Sequence, residues 1–184
     1  GLLGGKRIFE RLIGVEITGK DVIPKLRWIK QKQPELYQQT ETFLDVNGYL
    51  KFRATGKKAF EWSGACSYGF NLKKKDWERL LFKISGFDLN KLPPLVRSTD
   101  VVGTLTAEAA EELGLPRDVQ VYGGCDDTQS AAIGSGATEE GEAHIYLGTS
   151  AWAGITTGRN PTTDEGIPCR PSVSHSPTVT ANTP

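Results

Sequence analysis

One run of sequence narrows the fold more than any other, from Val119 through Asp126-Asp127 and Gly148-Thr149-Ser150 to Thr157. Its first apolar stretch, ending at Gly123-Gly124, predicts a buried strand, and the small residues from Asp127 to Ile133 predict a close-packed helix. The acidic pair then falls where strand meets helix, which is where open α/β sheets hold their ligands. Further on, His144 to Leu147 and Ala151 to Thr157 predict two strands joined by a tight polar turn. Backbone N–H groups in such a turn, with the hydroxyls of Thr149 and Ser150 beside them, are suited to phosphate oxygens.

On local pattern alone the acidic pair has two readings, since an Asp at a helix start can cap the helix or act as a base. Asp127 at such a position lies near backbone N–H groups, which favours the ionised form that a base requires. Phosphoryl transfer suits a carboxylate, because its loose transition state asks for little early proton removal and positioning outweighs basicity. Gly134-Ser135-Gly136 is not followed by the third Gly of a dinucleotide fingerprint, and no phosphate loop of the Gly-x-x-x-x-Gly-Lys-Ser/Thr kind is present.

Upstream, Ile8, Phe9, Leu12 and Ile13 share a helical face. Asp21 is a plausible N-cap for a helix burying Val22, Leu26 and Ile29, with Trp28 flanking, until Pro34 stops it and starts another turn. Thr42 to Val46 reads as a strand and Asn47-Gly48 as a turn. Trp62 reads as core. Asp76 to Ile84 reads as a helix capped by Asp76, with Trp77, Leu80, Leu81 and Ile84 on one face. Leu92 to Leu95 should be extended around its two prolines. Thr106 should cap a helix from Ala107 to Leu113 that stops at Gly114, and Asp118 should open the strand that follows. From Gly158 to Pro184 the Pro, Thr, Ser and Gly content reads as loop.

The 184 residues suffice for one domain and are marginal for two. Lys+Arg and Asp+Glu are equal at 22 each, which gives no electrostatic pull toward nucleic acid or an anionic membrane. Lys57-Lys58 and Lys73 to Lys75 read as solvated surface. No apolar run approaches the roughly 20 residues that cross a bilayer, and no signal peptide pattern is present. Cys66, Cys125 and Cys169 are odd in number and widely spaced, which fits buried or surface thiols in a reducing cytosol better than a disulfide framework. No metal-ligand spacing involves them or His144 and His175, so no metal site is assigned and both histidines read as ordinary residues. Met is absent, which reads as a fragment or a processed piece.

The central run resembles the segment that joins the two domains of the FGGY carbohydrate kinases, the group containing xylulokinase and glycerol kinase. The likeness is carried by Gly124, Asp127, Ala131, Gly134, Gly136, Gly141, Ala143 and Leu147 to Ser150. It extends weakly upstream through Lys25, Trp28, Pro34, Glu35, Tyr49, Leu50, Thr55 and Gly56. It continues through Ser63, Ala65, Leu92-Pro93, Val102-Gly103 and Gly114-Leu115, with Glu61 standing near where the family often has Asp. The step from Asp127 to Gly134, eight residues counting both ends, selects Asp127 over Asp126 as the family's catalytic Asp.

The resemblance implies an α/β fold of the ribonuclease H-like, actin/hexokinase type, present in part. Residues 1–141 would be the later part of the sugar-binding domain, and 142–184 the start of the nucleotide-binding domain. It implies ATP-dependent phosphorylation of a sugar or polyol hydroxyl, with magnesium as the usual companion of ATP. Asp127 would be the base, Gly148, Thr149 and Ser150 would bind phosphate, and Thr128 would face the sugar. For Thr128 and Gln129 a purely structural role is equally open, and Asp126 is a candidate to hold magnesium through water. The oligomeric state is not legible, a homodimer being the assembly considered. The family's Asp-Gly-Thr phosphate loop is missing, as is its adenine-binding part, so the 184 residues are expected to be inactive alone. The alternatives are an ATP- or sugar-binding sensor or scaffold of the same fold and, more remotely, an actin-like or chaperone ATPase.

Overall fold

Proline and capping residues set the first helices. In the computed structural model, which describes residues 22–71, 74–148, 151–157, 169–171 and 178–181, helix α1 runs Val22–Lys32 and α2 runs Pro34–Gln39 with the proline in its first turn. The expected stop at Pro34 is therefore where the chain breaks. The face is the expected one, with Leu26 buried and Val22 and Ile29 packed against the main core; Ile23 is buried beside them, and flanking Trp28 is 54% exposed. Asp21 and the stretch from Ile8 to Ile13 lie outside the described residues.

The strand expected at Thr42 to Val46 is not formed, and Asn47-Gly48 is no turn. Helix α3, Val46–Thr55, begins there because Asp45 caps it, its carboxylate accepting from the Gly48 N–H at 2.6 Å. The preceding stretch is extended only to the extent that the Phe43 N–H meets the Lys91 carbonyl at 2.7 Å. Strand β1, Phe60–Glu61, leads directly into the short helix α4, Trp62–Ala65, and a 3-10 turn at Cys66–Tyr68. Strands β2, Phe70–Asn71, and β3, Asp76–Trp77, pair antiparallel. Helix α5, Arg79–Ser85, starts later than the expected Asp76, because Glu78 supplies the cap, accepting from Leu80 N–H. Its face is rotated accordingly, so Leu81, Phe82 and Ser85 are buried while Leu80 and Ile84 are exposed.

A 3-10 turn at Leu89–Lys91 precedes the proline pair, and the extended chain beyond it becomes β4, Leu95–Val96, parallel to β1 with Phe60 opposite Leu95. Strand β5, Val101–Thr104, then helix α6, Ala107–Leu113, and strand β6, Gln120–Tyr122, follow. Thr106 caps α6 by accepting from the Ala109 N–H at 3.1 Å, and Gly114 ends it at φ 65°, both as expected. Strand β6 starts two residues after Asp118 and is not the buried strand expected, since Gln120 and Tyr122 are exposed. Among the described residues β5 is its one strand partner, and only Val121 turns toward the small cluster of Leu105, Ala109 and Ala110 under α6.

Helix α7 occupies Asp127–Gly134, as expected. The antiparallel pair β7, Ala143–Leu147, and β8, Ala151–Thr156, also matches expectation. Buried Thr156 ties this hairpin to the end of α7, its hydroxyl donating to the Ala137 carbonyl at 2.6 Å. The loop expected beyond Gly158 is corrected at two places. Strands β9, Cys169–Pro171, and β10, Thr178–Ala181, extend the sheet in the order β7-β8-β10-β9. Alternating Thr and Val in β10 suits this pairing, and Val179 stands opposite Ile155.

The main core is aromatic. Phe60 meets Tyr68 at 4.5 Å and Trp77 at 5.6 Å between ring centroids, Trp77 meets Phe82, and Phe82 meets Phe87. Half-buried Trp62 packs against the same cluster and Phe70, in line with its reading as a packing residue. This core supports β1 and α4 from one side and so fixes the residues that hold the acidic pair.

Candidate active site

The elbow between β6 and α7 is held by four hydrogen bonds from three parts of the chain. The Gly123 N–H donates to the Asp100 carbonyl at 2.9 Å and the Gly124 N–H to the Ser98 carbonyl at 3.1 Å. The Lys51 ammonium, on α3 and only 4% exposed, donates to the Gly123 carbonyl at 2.7 Å. The Asp126 N–H donates to the Ser63 hydroxyl at 2.8 Å. Gly124 has φ 76°, a conformation that disfavours a side chain, and lies against Asn47. Gly123 is needed for a different reason: a Cβ there would sit 2.2 Å from the Arg97 carbonyl oxygen.

Behind the elbow lies Glu61, 2% exposed, whose carboxylate accepts from the Ser63 N–H at 2.9 Å, the Gly64 N–H at 3.3 Å and the Ser98 hydroxyl at 2.8 Å. It also accepts from the Ser63 hydroxyl. These bonds account for a buried carboxylate that would otherwise be costly. Burial pushes the Lys51 ammonium below its ordinary range, and the charges of Asp45 and Glu61 oppose that shift. Burial, with the charge of Asp45 nearby, pushes the Tyr68 phenol up to about 12.

Asp127 is the first residue of α7 and is exposed, with Thr128 Oγ1 donating to its Oδ1 at 3.4 Å. Asp126 is the N-cap residue by backbone position, yet its side chain makes no capping bond. Capping therefore does not account for the second carboxylate. Burial raises the Asp126 carboxyl above the ordinary range, and the neighbouring Asp127 charge adds to the shift. Gln129 turns inward and is buried, its Oε1 without a partner among the described residues, while the Cys125 thiol and Ser130 hydroxyl share a hydrogen bond at 2.8 Å.

Gly148 closes β7 against the Tyr146 ring, whereas Thr149 and Ser150, expected with it on phosphate, lie outside the described residues. His144 is less ordinary than expected: it is buried edge-on to Trp152, with centroids 5.1 Å apart, and neither ring nitrogen has a hydrogen-bond partner among the described residues. His175 lies outside the described residues. Among the described residues, no three His, Cys, Asp or Glu side chains are grouped to hold a metal. The residues that sequence reasoning missed are Lys51 and Ser98. Lys51 follows a stretch that reads as a strand and turn, and Ser98 lies in an unpatterned loop, so neither carried a local signal.

Set against solved structures, the chain is similar to gluconate kinase from Lactobacillus acidophilus, with TM-score 0.87 and 23% identity, covering 96% of this chain and 36% of that one. It is also similar to xylulose kinase from Rhodospirillum rubrum, with TM-score 0.85 and 24% identity over 96% of this chain and 37% of that one. The architecture is thus the α/β one of the ribonuclease H-like, actin/hexokinase type, present in part. The model for the N-terminal domain of the FGGY family of carbohydrate kinases matches residues 4–134, and the chain belongs to that family. Xylulose kinase of Staphylococcus epidermidis is 36% identical over 143 residues, which is 77% of this chain and 28% of that protein. Xylulose kinase of Bacillus subtilis is 35% identical over 129 residues, 70% of this chain and 26% of that protein. The chain spans under a third of the length of these relatives.

Proposed function

We propose that a full-length protein carrying this segment transfers the terminal phosphoryl group of ATP to a sugar or polyol hydroxyl, with Asp127 as the general base. The observation that carries this reading is the exposed Asp127 carboxylate at the start of α7, on an elbow held by buried polar groups. An oxygen nucleophile needs a carboxylate within hydrogen-bond reach and a fixed approach to the phosphate, and a clamped helix start supplies both requirements of position. Thr128 would contact the sugar, and the turn at Gly148, Thr149 and Ser150 would bind phosphate. Asp126, beside the base, is the candidate to hold Mg2+ through water, since that ion prefers oxygen ligands and keeps several waters. Bound there, the ion would screen phosphate charge.

Two relatives carry the name xylulose kinase, so a ketopentose is the first acceptor to test. Residues 1–141 would belong to the sugar-binding domain and 142–184 to the nucleotide-binding one; a cytoplasmic protein and a homodimer belong to the same reading. The 184 residues alone would not turn over.

The test is Asp127→Asn in the full-length protein. Loss of a general base lowers kcat by about 100- to 10,000-fold, with the melting midpoint unchanged. Parent-like turnover by that variant overturns the assignment and favours a binding protein of the same fold.

A further inference from the structure

We propose that Ser63, oriented by Glu61, is a positioning residue for the Asp127 carboxylate, acting through the backbone of Asp126; the inference rests on the kinase reading above. The argument turns on the direction of the hydrogen bonds. The Asp126 N–H can only donate, so at 2.8 Å it requires a lone pair of Ser63 Oγ. Ser63 has a single hydroxyl proton, which it donates to the Glu61 carboxyl oxygen. The chain Asp126 to Ser63 to Glu61 therefore has one polarity, and both ends enforce it.

The second oxygen of Glu61 governs the other end of the elbow. It accepts from the Ser98 hydroxyl at 2.8 Å, and the Ser98 carbonyl accepts from the Gly124 N–H at 3.1 Å. One buried carboxylate thus directs the chain on both sides of Cys125. Asp126 is the residue whose backbone angles, φ −67° and ψ 159°, aim the first turn of α7 and with it Asp127. Capping α4 does not require the Ser63 hydroxyl, because Glu61 caps that helix through the N–H groups of Ser63 and Gly64. Deleting the hydroxyl separates the two roles.

The experiment compares Ser63→Ala, Ser63→Thr, Asp127→Asn and Ser85→Ala in the full-length protein. Ser85 is a buried serine of α5 bonded to the Phe82 carbonyl and serves as the control for general loss of stability. Displacing a reacting group by about 1 Å costs about 100-fold, so Ser63→Ala is expected to lower kcat about 10- to 100-fold, with the sugar KM within about threefold. Hydrogen–deuterium exchange of the Asp126 amide should be faster, and Ser63→Thr should recover most of the turnover, whereas Ser85→Ala should keep it. A parent-like kcat for Ser63→Ala beside a dead Asp127→Asn overturns the positioning role and leaves the kinase reading standing. Parent-like turnover by Asp127→Asn removes both. If Ser63→Ala fails to fold, Ser63→Cys, which keeps nearly the same volume with a weak acceptor, should still lower kcat by about tenfold. Parent-like turnover by that variant overturns the role in the same way.

Discussion

Gly123→Ala tests whether the elbow is as tightly held as its contacts imply. The new methyl would lie 2.2 Å from the Arg97 carbonyl oxygen and 3.0 Å from its carbonyl carbon, both backbone atoms that cannot rotate away. Reaching ordinary contact requires a shift of about 1 Å. That shift loosens the bonds from Gly123 N–H to Asp100, from Gly124 N–H to Ser98 and from Lys51 to the Gly123 carbonyl. With about 1 kcal/mol for each bond and about 1 kcal/mol or more for overpacking, the loss is about 4 kcal/mol. For a folded unit of this size the midpoint should drop by roughly 8–16 °C. Melting followed by circular dichroism measures it, with Gly134→Ala as the control. No atom lies within 4 Å of a Cβ at Gly134, and Ala is the better helix former, so that midpoint should hold or rise. A Gly123→Ala midpoint within about 2 °C of the parent would refute the reasoning.

Three further outcomes are expected. Because the folded protein raises the Tyr68 phenol to about 12, its contribution is intact below the ordinary tyrosine value of about 10 and is lost as pH rises toward 12. Tyr68→Phe should flatten the stability profile across that alkaline window, as read by urea midpoints at successive pH values. Asp126 is likewise raised, so its contribution is present in acid and lost as pH climbs through the carboxylate range; Asp126→Asn should be the more stable protein at pH 7 and equal to the parent near pH 3. Thr106→Ala removes the α6 cap and should cost about 1 kcal/mol in the same measurement.

Where a feature is local, the sequence was a good guide. Thr106 and Gly114 bound their helix as read, Pro34 divides α1 from α2, and the small-residue run beginning at Asp127 is helical. Misreadings arose where a nearby polar side chain chose a different helix start. Asp45 turned an apparent strand and turn into α3, and Glu78 moved the start of α5 past Asp76. The strand β10 was masked by a composition typical of loops, although its backbone pairs with β8 from Thr178 to Ala181. Of the candidate site, the place of Asp127 at the start of a helix was legible from the small residues that follow it. The buried supports Lys51 and Ser98 were not, because each acquires its meaning from a partner distant in sequence.

The clamped elbow has a consequence for the order in which the molecule forms. Lys51 grips a carbonyl 72 residues further along, and Ser63 an amide 63 residues further along. Loops of that length must close before either grip exists, and such closures are slow relative to helix formation. Helix α7 can therefore wind early while its leading carboxylate still lacks a defined bearing, which should be fixed only in the last stage of folding.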